Sequence, residues 1–334
     1  MRALVCRELG DPTRPPRDGG ALAVEDRPRL FPEGVPPRGV RVKVAFAALN
    51  FADLLMARGE YQEKPALPFV PGGEFSGVVA ESGAEARAAG FAPGAKVAGV
   101  LVGGGAMAEE VVVRDALGPP SAADGAVLFP APPALSLAAA AAFPVCHGTA
   151  HLALCERARV APNERVLVLG AAGGVGLAAV QIAKARGALV VACAKGDAKR
   201  VACADAGADA VVDVAKLPGE YGGTPFRDAV FEAFEALESS KRRSNRSGGG
   251  VSKVSKVSKG ADVVFDPVGG DAFASAIKCA RWGARVLVVG FASGRIPRLP
   301  LNLALVKNLT VHGVYWGAHA ARDPGTLARS TAEA

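Results

Sequence analysis

Two textures divide the chain. From residue 165 onward, largely apolar runs recur at 165–170 (RVLVLG), 188–193 (ALVVAC), 210–214 (AVVDV), 262–266 (DVVFD) and 285–290 (RVLVVG). Between the first of them lie Ala-rich segments, 176–186 and 199–206, which read as helices. Strands without a polar face, alternating with helices, predict a parallel sheet covered on both sides. The first third differs. Short β-type runs at 40–45 (VRVKVA), 77–80 and 110–113 sit among glycines and prolines, which predicts an irregular, mostly β domain. Residues 118–133 read as a Pro/Ala-rich connector.

Half of the 334 residues are hydrophobic and 21% are charged, enough to bury a sizeable core and too apolar for wholesale disorder. The formal charge of +7 suggests nucleic acid, but its distribution argues otherwise. Residues 239–260 hold Lys241, Arg242, Arg243, Arg246, Lys253, Lys256 and Lys259 with no acid; the remainder balances 32 bases against 32 acids. This stretch repeats V-S-K three times and reads as a disordered surface insertion. Nucleic acid is therefore expected only through that loop. The six cysteines form no C-x-x-C pair and read as reduced thiols. No run is long and apolar enough to span a bilayer. The opening MRALVCRELG shows no leader pattern, so a cytoplasmic location is expected.

The strongest chemical signal is VLVLGAAGGVGLAAVQIAKARGALVVACAK. A strand runs through Ala171, Ala172, Gly173, Gly174, Val175 and Gly176 into a helix. That is the dinucleotide-binding fingerprint with alanine at its first glycine position. Gly173 lets backbone approach a pyrophosphate, and Gly176 lets the helix pack on the strand. The helix N-terminus offers free N–H groups and a positive dipole end. An NAD site usually carries an acid at the end of the second strand. Here that position is Ala194-Lys195, followed by Asp197, Lys199 and Arg200. Small and basic groups suit a 2′-phosphate, so NADPH is favoured over NADH, with Asp197 the one residue that could face a ribose.

Several further motifs accompany the loop: residues 50–53 (NFAD), 71–77 (PGGEFSG), 143–149 (FPVCHGT), 262–270 (DVVFDPVGG) and 289–294 (VGFASG). Together they resemble the zinc-independent, zeta-crystallin-like quinone oxidoreductases of the medium-chain dehydrogenase/reductase superfamily, in their quinone oxidoreductase-like branch. The resemblance implies an α/β protein: a GroES-like, mostly β catalytic domain over 1–140, a Rossmann doubly wound parallel sheet over 141–300 with the basic insertion at 239–260, and a strand and C-terminal segment over 301–334. It implies an active site in the cleft between the domains. It also implies cofactor contacts: Thr149 near the nicotinamide, Ala172, Gly173, Gly174 and Val175 on the pyrophosphate, Lys199 on the 2′-phosphate, and Phe291, Ala292 and Ser293 along nicotinamide and ribose. Asn50 and Tyr61 match positions lining the substrate pocket. Relatives form homo-oligomers, so a homodimer is expected.

Zinc-dependent relatives place a histidine where Gly73 stands and a cysteine where Asn50 stands. With both ligands replaced, a three-ligand catalytic site is not expected. Cys146, His147, His151 and Cys155 are clustered in sequence, but read as core or capping residues. Without a Lewis acid, a quinone or conjugated enone is the better hydride acceptor, because charge delocalises over the product. The alternatives are an enoyl-thioester reductase of the same superfamily, or a catalytically impaired relative that binds NADPH or RNA. Three positions depart from the family pattern. Leu55 replaces a tyrosine of the active site, and Val214 replaces a tyrosine near the cofactor phosphate. Only 18 residues follow Trp316, so the segment that returns to the catalytic domain is expected to be absent in part or whole.

Overall fold

The computed structural model describes residues 1–118, 125–246 and 259–334. They form two compact units: Met1–Gly148 with Trp316–Ala332, and Thr149–Tyr315 with Glu333–Ala334.

The first unit is mostly β, as its texture predicts. β1 (Arg2–Cys6) and β2 (Leu22–Asp26) form an antiparallel pair. A five-stranded antiparallel sheet contains β3 (Val40–Ala47), β4 (Glu74–Ser82), β5 (Lys96–Leu101), β6 (Glu110–Val113) and β7 (Ala126–Pro130), in the order β6-β3-β4-β5-β7. Phe75, Val42, Val79, Val97 and Val111 fill its core. The connector expected over 118–133 is corrected in part. Residues Ala126–Pro130 are a strand paired with β5, with Leu128 facing Gly99. Its single proline stands at the last position, where a missing N–H costs least.

Trp316–Ala332 belongs to this first unit, so part of the return segment expected to be missing is present. Trp316 is buried and its Nε1 donates to Ser330 Oγ at 2.8 Å. The indole fills the space beside Gly148, where a Cβ would lie 2.7 Å from the ring.

The second unit is the expected Rossmann sheet. β8 (Arg165–Val168), β9 (Leu189–Ala194), β10 (Ala210–Asp213), β11 (Ala261–Asp266), β12 (Ala280–Val288) and β13 (Thr310–Gly313) run in the order β10-β9-β8-β11-β12-β13, and every pairing is parallel. β8, β9 and β11 are buried at every residue, which explains their lack of alternation.

The disordered insertion expected over 239–260 needs correction at its start. Helix Gly223–Arg246 carries regular backbone through residues 239–246. Its Phe226, Val230 and Phe234 recur every four residues, all buried against the sheet. Glu238 on the same helix pairs with buried Arg165. The V-S-K repeats lie outside the described residues. All six cysteines are free. Among the described residues no helix is long and apolar enough to cross a membrane.

Candidate functional site

The glycine loop follows β8 directly. Leu169 N–H donates to Phe265 O and Ala171 N–H to Cys193 O, both at 3.0 Å, so the loop is anchored to β11 and β9. Gly170 has φ +54° and lies against Val268, where a Cβ would be only 2.8 Å from Val268 Cγ2. Gly170 N–H donates to the Tyr221 hydroxyl, whose titration burial pushes upward. Helix Gly174–Ala185 then begins, with Gly173 as its cap and no capping side chain. Its first amides have no partner within the helix and carry its positive dipole end. Gly176 sits where a Cβ would be 2.5 Å from Gly170 O and 2.7 Å from Ala171 Cα. Helix and strand are thus packed backbone to backbone, and the amide row stands open to an anion. A dinucleotide diphosphate fits these residues.

The ends of β11 and β12 close the same rim. Asp266 is buried and accepts N–H from Val268 at 2.8 Å and Gly269 at 2.9 Å. Burial drives its carboxyl above the ordinary range against these two bonds. Ala292 N–H donates to Pro267 O and Ser293 N–H to Val268 O. Phe291 lies against Gly269, where a Cβ would be 2.9 Å from its Cδ1. Ala172 and Gly173, with Gly174 and Val175 opening the helix, therefore follow the carboxyl end of β8, and Phe291, Ala292 and Ser293 follow that of β12. β11 lies between those two strands, and the strand order reverses between β8 and β11, where doubly wound sheets bind ligands.

The basic residues after β9 separate into two kinds. Lys195 pairs with Glu220 at 2.5 Å. Arg200 pairs with Asp197 at 2.7 Å and lies 3.9 Å from Asp213. Asp213 is held below the usual carboxylate range, first by the N–H of Gly196. Lys199 is exposed and pairs with no acid among the described residues. The acid that could have faced a ribose, Asp197, is thus engaged by its neighbour. Thr149 is buried in helix Pro144–His151.

In the first unit, Asn50 precedes helix Phe51–Arg58. Its Nδ2 donates to Glu74 Oε1 at 2.8 Å, and Val145 N–H donates to Glu74 Oε2 at 2.8 Å. Burial pushes the Glu74 carboxyl up to about 7. Asp53, also buried, accepts the N–H groups of Asn50 and Gly72. Tyr61 packs against the cluster of Cys6, Met56 and Phe69. Glu74 and Tyr221 escaped sequence reasoning: nothing local marks a carboxyl or phenol as buried. The one available signal was Glu74 within the PGGEFSG motif.

His147 stacks on Phe143 with ring centroids 4.2 Å apart. Burial lifts the Cys146 thiol to about 12. Among the described residues no three His, Cys, Asp or Glu side chains are gathered as a metal ion requires.

Comparison with known proteins places this geometry. Residues 36–118 match the alcohol dehydrogenase GroES-like domain family, and residues 174–330 match the zinc-binding dehydrogenase family. A quinone oxidoreductase-like protein 2 homolog from Nematostella vectensis is 38% identical over 330 residues, covering 98% of this chain and 76% of that protein. The quinone oxidoreductase of Thermus thermophilus, solved also as its complex with NADPH, is 29% identical with a TM-score of 0.69, over 99% of this chain and 86% of that one. An NAD-dependent alcohol dehydrogenase structure is 30% identical with a TM-score of 0.71, over 100% of this chain and 90% of that one. The chain belongs to the quinone oxidoreductase-like branch of the medium-chain dehydrogenase/reductase superfamily.

Proposed function

We propose that this oxidoreductase takes NADPH and transfers its hydride to a quinone or conjugated enone without zinc. The observation that carries the cofactor choice is Lys199, a lysine in the first turn of helix Asp197–Asp205 after the second Rossmann strand, left without an acid partner among the described residues while its basic neighbours are engaged. The loop from Ala172 to Val175 holds the diphosphate, and Thr149, Phe291, Ala292 and Ser293 hold the nicotinamide and its ribose. When bound, NADPH supplies a hydride to a carbon of the acceptor. Asn50 and Tyr61 orient that acceptor and donate hydrogen bonds to the oxygen that gains charge. A water proton completes the hydroquinone or saturated ketone. The donor set supports the zinc-free reading, since Asn50 turns its amide to Glu74 and Gly73 offers no ligand.

The test is nucleotide oxidation with ortho-quinones, para-quinones and enones, with NADPH and NADH in parallel. Preferential consumption of NADPH supports the reading; absence of NADPH binding by calorimetry overturns it. Lys199→Ala is expected to weaken NADPH binding by about tenfold, the loss of one exposed charge-assisted contact. Its NADH affinity should stay within twofold. Equal weakening of both nucleotides would remove Lys199 from the 2′-phosphate.

We also propose a homodimer built on the open edge of β13. Strand β13 pairs only with β12 among the described residues. Beside it in sequence, helix Leu301–Val306 exposes Leu301, Leu305 and Val306, with Leu305 80% accessible. An unpaired strand edge and exposed apolar side chains both favour association. Light scattering should report a dimer for the native chain and a monomer for Leu305→Asp. A monomeric native chain at micromolar concentration would refute this assembly.

A further inference from the structure

Lys195 stands directly after β9, at the end of the second Rossmann strand, where doubly wound sheets meet the adenosine ribose. Chain order puts a basic residue there and no acid. The fold brings an acid back. Glu220, twenty-five positions on, accepts from Lys195 Nζ at 2.5 Å. The other acids beside this strand end hold different cations. Asp197 pairs with Arg200, and Asp213 lies 3.7 Å from Lys216 and 3.9 Å from Arg200. Among the described residues Glu220 is the only acid paired with Lys195, and Lys195 the only cation paired with Glu220.

Both side chains are half-exposed, so the contact adds little to stability. The backbone beneath the carboxylate is nevertheless tightly placed. Glu220 has φ +53°, in the left-handed region that favours glycine. Its N–H donates to Leu217 O at 2.9 Å, and Gly222 N–H donates to Gly219 O at 2.7 Å. Its neighbour Tyr221 is partly buried, with its ring centroid 5.3 Å from that of Phe226 and its hydroxyl taking the N–H of Gly170. One turn therefore serves two parts of the proposed dinucleotide site. Tyr221 holds the start of the glycine loop, and Glu220 reaches the strand end where the ribose belongs. An acid kept in an unfavourable backbone conformation, for an ion pair that contributes little to the fold, points to a role in what binds there.

We propose that Glu220 is a specificity-determining residue that competes with the 2′-phosphate of NADPH for Lys195, and so holds NADPH affinity below what Lys195, Lys199 and Arg200 alone would give. The inference rests on the NADPH reading. A phosphate dianion must displace the carboxylate from the ammonium or share it, and either weakens binding. The ribose of NADH carries no such group and meets no such competition.

The experiment measures NADPH and NADH affinity by calorimetry for the native chain, Glu220→Gln, Lys195→Ala and the double variant. Thermal melts establish that each variant is folded. Glutamine keeps the size of the side chain and removes its charge, so Glu220→Gln is expected to bind NADPH about fivefold more tightly, the scale of one exposed ion pair. Its NADH affinity should stay within twofold. In the Lys195→Ala background the same replacement should change NADPH affinity by less than twofold, because the carboxylate has lost the ammonium for which it competes. A gain that persists in full in that background marks general repulsion and overturns the inference. A loss of NADH affinity in Glu220→Gln also overturns it, since Glu220 would then hold the ribose. If native chain and Glu220→Gln bind NADPH equally, this inference alone fails. If neither binds NADPH, the NADPH reading fails and this inference falls with it.

Discussion

A Gly176→Ala protein is expected to lose NADPH affinity by more than about 100-fold and to melt well below the native chain. The new Cβ would lie 2.5 Å from Gly170 O and 2.7 Å from Ala171 Cα. Both neighbours are backbone, so no rotamer change relieves the clash. Helix Gly174–Ala185 must move away from β8. Overpacking of this kind costs about 1–3 kcal/mol. The larger loss falls on function, because the same shift carries the helix amides off the diphosphate. Gly173→Ala is the internal control. There the Cβ meets only Gly170 O, at 3.4 Å, and φ is −80°, open to any residue. Its melting temperature should stay close to native. Calorimetry with NADPH and a thermal melt on each variant check the pair. A Gly176→Ala chain that binds within twofold of native would show that the loop does not carry the cofactor.

Arg41→Ala is expected to destabilise the first unit by about 3 kcal/mol. Arg41 lies in β3 with 1% of its surface accessible. Its Nε donates to Glu81 at 2.9 Å, its Nη1 to Leu30 O at 2.8 Å, and its Nη2 to Phe31 O at 2.7 Å. One planar fork therefore ties two carbonyls to the sheet. Alanine strips those carbonyls of their donor and leaves a cavity. Lysine does not rescue it, because a point charge cannot serve the same directions. The melting temperature should fall by roughly 6–12 °C, while NADPH affinity holds, since the glycine loop belongs to the second unit. Arg41 also holds the Glu81 carboxyl below its ordinary range. A depressed carboxylate stabilises the fold above its unfolded pKa and loses that contribution as it gains a proton. The gap between native and variant should therefore narrow below about pH 4. A melting shift under about 2 °C at neutral pH would contradict this account.

The chain's pattern was most legible where one local feature carried the structure. The runs around 165–170, 188–193 and 262–266 became β8, β9 and β11 because strands covered on both faces need no polar positions. The glycine loop was readable because Gly170 and Gly176 occupy places that a Cβ would not enter. Other elements were hidden. β7 has five residues beside a Pro/Ala-rich passage, and only its pairing with β5 makes it a strand. Helix Gly223–Arg246 runs from an amphipathic start into the basic low-complexity stretch, so composition concealed its length.

Period and composition by themselves determined the Rossmann half, the β character of the first unit and the dinucleotide loop. The tertiary structure alone decided the fate of individual polar groups. Arg41 reads as the polar side of VRVKVA, yet it is among the most buried side chains. The Glu74 carboxyl is raised by its burial in the fold, against the hydrogen bonds that Val145, seventy-one positions away, and Asn50 bring to it. Lys199 differs from Lys195 and Arg200 only in which acids the fold brings near. The physical reason is the range of the forces involved. Hydrophobic period is written in neighbours along the chain, whereas desolvation and hydrogen-bond partners come from segments that folding brings together.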